Sequence, residues 1–172
     1  MSFLSAHRVP SLFVSSLVLS FALPMGAGAQ SDFPPVCCIG GIALGPQAYS
    51  FNRFTFFEAI DKTKEMGCNV IEAYPGQRLS KETGDVRFNH DAPPSVWAKA
   101  KMKLENTGVR LAAYGVVGGL GSDEESARKV FDFCKVMDIP IITAEPAEGS
   151  FDLLDKLVEE YNIKIAIHNH PK

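Results

Sequence analysis

The segment Ile163-Lys164-Ile165-Ala166-Ile167-His168-Asn169-His170-Pro171-Lys172 sets the terms for the whole chain. Its first half is short, apolar and β-branched, and it follows a helix-like stretch, so it reads as a strand. The strand runs into two imidazoles and a carboxamide. Polar side chains at the carboxyl end of a buried strand are where open or closed α/β sheets place their active sites.

Three earlier joints have the same form. Met66-Gly67 leads into Asn69-Val70-Ile71-Glu72, Thr107-Gly108 into Val109-Arg110-Leu111-Ala112, and Met137-Asp138 into Ile139-Pro140-Ile141-Ile142. Tyr161-Asn162 leads into the segment above. Between these joints lie helix signals. Thr55 to Glu58 and Ser122 to Glu125 have the spacing of a capping box. Pro93-Pro94-Ser95 opens a helix with Val96, Trp97, Ala100 and Leu104 on one face. Ala127, Val130, Phe131, Cys134 and Met137 form the stripe of the next helix, and Ser150 is expected to cap the last.

The expected strands are Gly45 to Phe51, Asn69 to Tyr74, Val109 to Val116, Ile139 to Ala144, and the final segment. Gly118, Gly119 and Gly121 are expected to form a flexible turn after the third. The polar stretch Gln77 to Asp91 is long for a connection, a length often associated with functional lids. His90, within it, is expected to be a lone exposed histidine.

Alternating strands and helices with largely apolar strands imply a parallel sheet covered by helices. Right-handed crossovers put every carboxyl end on one side. That side collects Gln47, Glu72, Tyr74, Tyr114, Glu145, His168 and His170. Side-chain alternation lets Glu72 and Tyr74, Thr143 and Glu145, and Ala166, His168 and His170 share one face. A doubly wound sheet and an open arc of an eight-stranded barrel both fit. No G-x-G-x-x-G or P-loop follows any strand, which removes support for nucleotide binding.

The 172 residues carry a net charge of -3, with 46 % apolar and 22 % charged residues. Acids outnumber bases and no basic cluster occurs, so a nucleic-acid partner is not expected. Residues 1–29 have Arg8, an apolar run from Leu12 to Leu23, and small residues at Ala27-Gly28-Ala29. They read as a secretory signal peptide, which makes the protein exported, periplasmic or extracellular, without stable membrane association after cleavage. Residues 30–44, with Pro34-Pro35 and Gly40-Gly41, are expected to be a linker or disordered lead-in. The four cysteines contain no C-x-x-C pair, and Cys68 and Cys134 are expected to be small buried apolar residues.

At Gln47-Ala48-Tyr49-Ser50-Phe51-Asn52-Arg53-Phe54, Ile71-Glu72-Ala73-Tyr74-Pro75-Gly76-Gln77, Glu145-Pro146 and Ala166-Ile167-His168-Asn169-His170-Pro171, the chain resembles exported members of the sugar phosphate isomerase/epimerase family. That family belongs to the xylose-isomerase-like TIM-barrel superfamily. The resemblance covers residues 45–172 and implies a partial (β/α)8 TIM barrel of about five βα units, truncated at the C-terminus. It implies a divalent metal (Mn, Mg, Co or Zn) and a small-molecule carbohydrate substrate, with a homo-oligomer compatible. Further ligands that relatives carry on later strands have no counterpart, so the metal site is expected to be incomplete and the chain a truncated or incomplete sequence.

Within that resemblance Glu145 is the candidate ligand or base, and Glu72 the second catalytic carboxylate, orienting substrate or a neighbouring ligand. His168 and His170, two apart, can point the same way and chelate one hard or borderline ion. Gln47, Tyr74 and Tyr114 are candidate substrate contacts, with Arg53 beside them. The expected activity is metal-dependent sugar isomerisation or epimerisation by proton abstraction next to a carbonyl. A lyase or hydratase acting on oxidised sugars, and a non-catalytic carbohydrate-binding or inert fragment, are the alternatives.

Overall fold

A computed structural model describes residues 37–170. The export signal read in residues 1–29 lies outside the described residues. So do Pro171 and Lys172. Among the described residues, no helix is long and apolar enough to cross a membrane.

The chain opens with a minimal antiparallel hairpin, β1 (Cys38–Ile39) and β2 (Ile42–Ala43), turned by Gly40 and Gly41 at positive φ. Part of the expected unstructured lead-in is therefore ordered. The first expected strand, Gly45 to Phe51, is replaced by a stub and a turn. Gln47 makes a single parallel bridge to Glu72, and Pro46 O accepts from the Glu72 amide at 3.1 Å. Residues Ala48–Phe51 then wind into a 3-10 turn. Close approach explains the glycine at the stub's start: a Cβ on Gly45 would lie 1.9 Å from the Val70 carbonyl oxygen.

Helix α1 (Phe56–Glu65) has the full capping box read from Thr55 and Glu58. A hydrogen bond from Lys81, and then those from Thr55, hold the Glu58 carboxyl well below the usual carboxylate range, at about 2. Strand β3 (Val70–Ala73) follows, then a short hairpin of β4 (Gln77–Arg78) and β5 (Arg87–Phe88). The long stretch expected as a loop is thus a strap fastened to the body. Phe88 stacks on Phe56 at 4.4 Å, Trp97 Nε1 donates to Asn89 O at 3.0 Å, and Lys81 pairs with Glu58 at 2.6 Å.

Helix α2 (Pro94–Thr107) buries Val96, Ala100 and Leu104, as its spacing predicts, and ends at Gly108 in the left-handed conformation. Strand β6 (Arg110–Leu120) is longer than expected, because Gly118 and Gly119, read as part of a turn, belong to it, while Gly121 lies just beyond its end. Gly119, at φ 67°, sits where the register with the next strand shifts between Gly118 and Leu120. The glycine makes a bulge rather than ending the strand.

Helix α3 (Glu124–Val136) takes its cap from Asp123, not Ser122; Asp123 Oδ1 accepts from the Ser126 amide at 2.8 Å. Strand β7 (Ile141–Pro146), helix α4 (Phe151–Tyr161) and strand β8 (Lys164–Ile167) complete the described chain. Ser150 makes no side-chain cap for α4; its hydroxyl donates to Ala147 O at 2.7 Å.

The sheet order is β3-β6-β7-β8, all parallel. Neighbours in sequence are neighbours in space, with no reversal of direction across the sheet. A doubly wound sheet requires such a reversal, whereas a (β/α)8 barrel does not. The Gln47 bridge adds the stub at the β3 edge. The architecture is α/β, an arc of a (β/α)8 TIM barrel.

Right-handed crossovers place α2, α3 and α4 on one face. Ile71, Ala73, Ile142 and Ala144 are all fully buried, and they alternate with half-buried Glu72, Tyr74, Thr143 and Glu145. The helix-facing side holds the core. Phe133 is its aromatic hub, touching Phe88, Trp97 and Tyr114 at centroid distances of 4.8 to 5.5 Å. Cys134 is fully buried as expected, and burial pushes its thiol up; Cys68 is only half-buried, because it lies in the turn between α1 and β3 rather than in the core.

Candidate metal centre

The carboxyl ends of β7 and β8 bring three donor groups together. Glu145 is the next-to-last residue of β7. His168 directly follows β8, and its amide extends the parallel ladder by donating to Ala144 O at 2.8 Å. His170 lies two residues further on. Alternation then turns both imidazoles to the side that carries Glu145.

The Glu145, His168 and His170 donor atoms lie within 4.8 Å of one another. His170 Nε2 is 2.6 Å from Glu145 Oε1, a short charge-assisted contact. The two imidazoles meet edge to face, with centroids 4.8 Å apart and planes at 81°. Among the described residues, no other group of three or more His, Cys, Asp or Glu has ligand spacing. Two imidazole nitrogens and one carboxylate oxygen suit a divalent ion of borderline hardness. Three protein ligands also leave coordination positions for substrate, as catalytic sites do. The residues present therefore fit the expected ion.

These groups line a cleft of about 410 Å³. Its other walls are Gln47 and Tyr49 from the stub and turn, Tyr74 and Pro75 after β3, and Gly115 and Val116 of β6. Gly115 is required there. A Cβ on it would sit 2.1 Å from the Thr143 carbonyl oxygen, so any side chain would push β6 from β7 just below the donor set. A slightly larger cavity, about 450 Å³, opens at the opposite ends of the strands among Leu104, Arg110 and Met137. Among the described residues, only the smaller one brings ligand-type side chains within ligand spacing of one another.

The sequence-derived site divides as follows. Gln47, Tyr74, Glu145, His168 and His170 all line the cleft. Glu72 is half-buried beside Gln47, and its Oε1 is buried without a hydrogen-bond partner. It is not among the residues lining the cleft. Tyr114 is not brought to the mouth at all. It is fully buried, and its hydroxyl meets His90 Nδ1 at 2.9 Å and the His90 amide at 3.3 Å. Tyr114 packs on Phe133, on the helix side of β6, and does not line the cleft. His90, expected to be exposed, is half-buried by the same contact. Arg53 is exposed and lines no part of the cleft.

Tyr49 is the residue that sequence reasoning missed. Its signal was available: it stands two residues beyond Gln47 in a motif already singled out. Only the unexpected 3-10 turn shows that it reaches the cleft.

No family model matches the chain, and no curated protein does. Solved structures do. A crystal structure of an uncharacterised protein from Parabacteroides distasonis ATCC 8503 is similar at TM-score 0.66 and 28 % identity, over 73 % of this chain and 52 % of that one. A crystal structure of D-psicose 3-epimerase, determined in the presence of D-fructose, aligns at TM-score 0.49 and 14 % identity, over 74 % of this chain and 55 % of that one. The chain thus spans about half the length of each of these solved proteins. The first likeness shows that this arc of strands and crossover helices is a fold shared with a solved protein.

Proposed function

We propose that the protein is a divalent-metal-dependent sugar isomerase or epimerase. The observation that carries this reading is the convergence of Glu145, His168 and His170 within 4.8 Å at the carboxyl ends of adjacent parallel strands. The family resemblance of the motifs around them supports it. A bound divalent ion would polarise the carbonyl and hydroxyl oxygens of a sugar.

The chain's own groups do the rest. His168, His170 and Glu145 would hold the ion. The second oxygen of Glu145 takes the proton from the carbon beside the carbonyl. The C–H electrons form the carbon–carbon double bond of an ene-diolate as the carbonyl electrons move onto oxygen. Delivery of that proton to the former carbonyl carbon, with the hydroxyl proton passing from one ene-diolate oxygen to the other, isomerises the sugar; epimerisation would need a second acid to deliver a proton to the opposite face of the same carbon. Gln47 and Tyr74 hold sugar hydroxyls. Glu72, with its unpartnered oxygen, orients this wall from beside Gln47. We also propose that this work is done outside the cytoplasm, a reading supported by the apolar run from Leu12 to Leu23.

Proton abstraction has a direct signature. The protein with Mn²⁺ in D₂O should wash deuterium into D-fructose beside its carbonyl, read by NMR. Glu145→Gln should slow that exchange by about a thousandfold or more, the upper range for losing a positioned base. Exchange at the wild-type rate in Glu145→Gln removes Glu145 from the mechanism.

A further inference from the structure

One wall of the cleft is left unused by the metal reading. Tyr49 and Tyr74 meet edge to face, with ring centroids 5.2 Å apart and planes at 75°. Both line the cleft that holds Glu145, His168 and His170. Tyr49 is 58 % exposed, while Phe56, Phe88, Phe131 and Phe133 are all fully buried. Its exposure is built in. The turn that carries it, Ala48–Phe51, is fixed by fully buried Ala48 and by hydrogen bonds from Gln77 Nε2 to Phe51 O and Phe54 O at 3.3 and 3.1 Å. The packed side of the turn leaves Tyr49 facing out over the cleft, and Tyr74 braces its ring.

The chemistry of this wall is distinctive. A tyrosine ring offers a flat apolar face to the C–H face of a sugar and a hydroxyl to the sugar's own. Burial raises the Tyr74 phenol above its ordinary range, which favours its neutral form. Among the described residues lining the cleft there is no lysine or arginine. A phosphate group is ordinarily gripped by such cations or by a nest of backbone N–H groups.

We propose that Tyr49, braced by Tyr74, is the platform on which the sugar ring lies, and that it makes this cleft select uncharged sugars over their phosphate esters. The inference rests on the sugar-binding reading of the same cleft and adds the substrate class. Stacking leaves the reacting carbons directed toward Glu145 and keeps the far end of the sugar against neutral aromatic surface.

The test titrates D-fructose and D-fructose 6-phosphate into the Mn²⁺-loaded protein by calorimetry, with Mn²⁺ affinity measured separately by equilibrium dialysis. D-Fructose should bind at least as tightly as its phosphate ester. Tyr49→Ala should weaken D-fructose binding about tenfold, a loss of one exposed aromatic contact. Tyr49→Phe, which keeps the ring face, should stay within about threefold of wild type. Mn²⁺ affinity should be unchanged in both variants. Equal D-fructose affinity in wild type and Tyr49→Ala overturns the proposal, as does a tenfold preference for the phosphate ester, or no D-fructose binding at all. The metal reading fails separately, if the wild type does not bind Mn²⁺. Tyr49-dependent D-fructose binding in that case would leave the platform standing.

Discussion

Two histidine-bearing regions of this protein use the same side chain in opposite ways. His90, in the strap after β5, has its partners supplied by the fold. The Tyr114 hydroxyl accepts from the His90 amide at 3.3 Å and is hydrogen-bonded to Nδ1 at 2.9 Å, while Nε2 lies 3.5 Å from the Asp91 carboxylate. Burial holds its pKa below the ordinary histidine range. The His168 and His170 imidazoles meet each other, and His170 meets Glu145, at a mouth where the His170 side chain is 68 % exposed. A histidine satisfied by phenol and backbone fastens structure. Histidines that face only another ligand-type group remain available to chemistry.

Paired substitutions test that contrast most strongly. His168→Ala should weaken Mn²⁺ binding at least a hundredfold, beyond the cost of losing an outer-shell partner. Its melting temperature should stay within about 2 °C of wild type, as for a surface change. His90→Ala should do the reverse. It leaves the buried Tyr114 hydroxyl without its imidazole partner, about 2 kcal/mol, and should lower Tm by several degrees with Mn²⁺ affinity intact. If both substitutions move both readouts alike, the contrast is false.

A smaller effect sharpens the comparison from the other partner. Tyr114→Phe keeps the ring that packs on Phe133 at 4.8 Å and removes only the hydroxyl. Urea denaturation should report a loss of about 1–2 kcal/mol, while D-fructose binding stays at wild-type strength. Loss of sugar binding at constant stability would instead restore Tyr114 to the site.

Much of this was legible in the sequence, and the reasons differ by residue. The strand-helix alternation was readable because each helix carries a one-sided stripe and each strand is short and apolar. Parity placed Glu145, His168 and His170 on one face, since a period of two leaves little freedom once strand ends are known. Tyr114 was misread because the β3–β6 pairing shifts register between Ile71 and Glu72, so that Tyr114 pairs with buried Ala73, and such a shift reassigns faces without any local sequence signal. His90 was misread for another reason. Its burial comes from a contact 24 residues away in sequence, and composition cannot show such contacts. Gly118 and Gly119 suggested a turn, but pairing with β7 on either side of the bulge holds them in the sheet, a tertiary effect that overrides propensity.

The weakest effect is a pH dependence, and its sign follows from the burial of His90. Its folded pKa is lowered, with burial the largest cause and Asp91 opposing it. Between the folded value and the unfolded value of about 6.5, the unfolded chain binds more protons than the folded one. Stability is therefore full above the unfolded value and falls as pH drops through the folded one. The slope from this one group is no steeper than one proton, about 1.4 kcal/mol per pH unit. Glu58, held at about 2 by Lys81 and Thr55, contributes in a lower window, between about 4.5 and 2, and so does not mask it. Urea melts at a series of pH values between 7 and 5 should show the decline in wild type. His90→Asn, which does not titrate there, should lack that part of it. If the two profiles run parallel, protonation at the Tyr114 contact does not govern the strap.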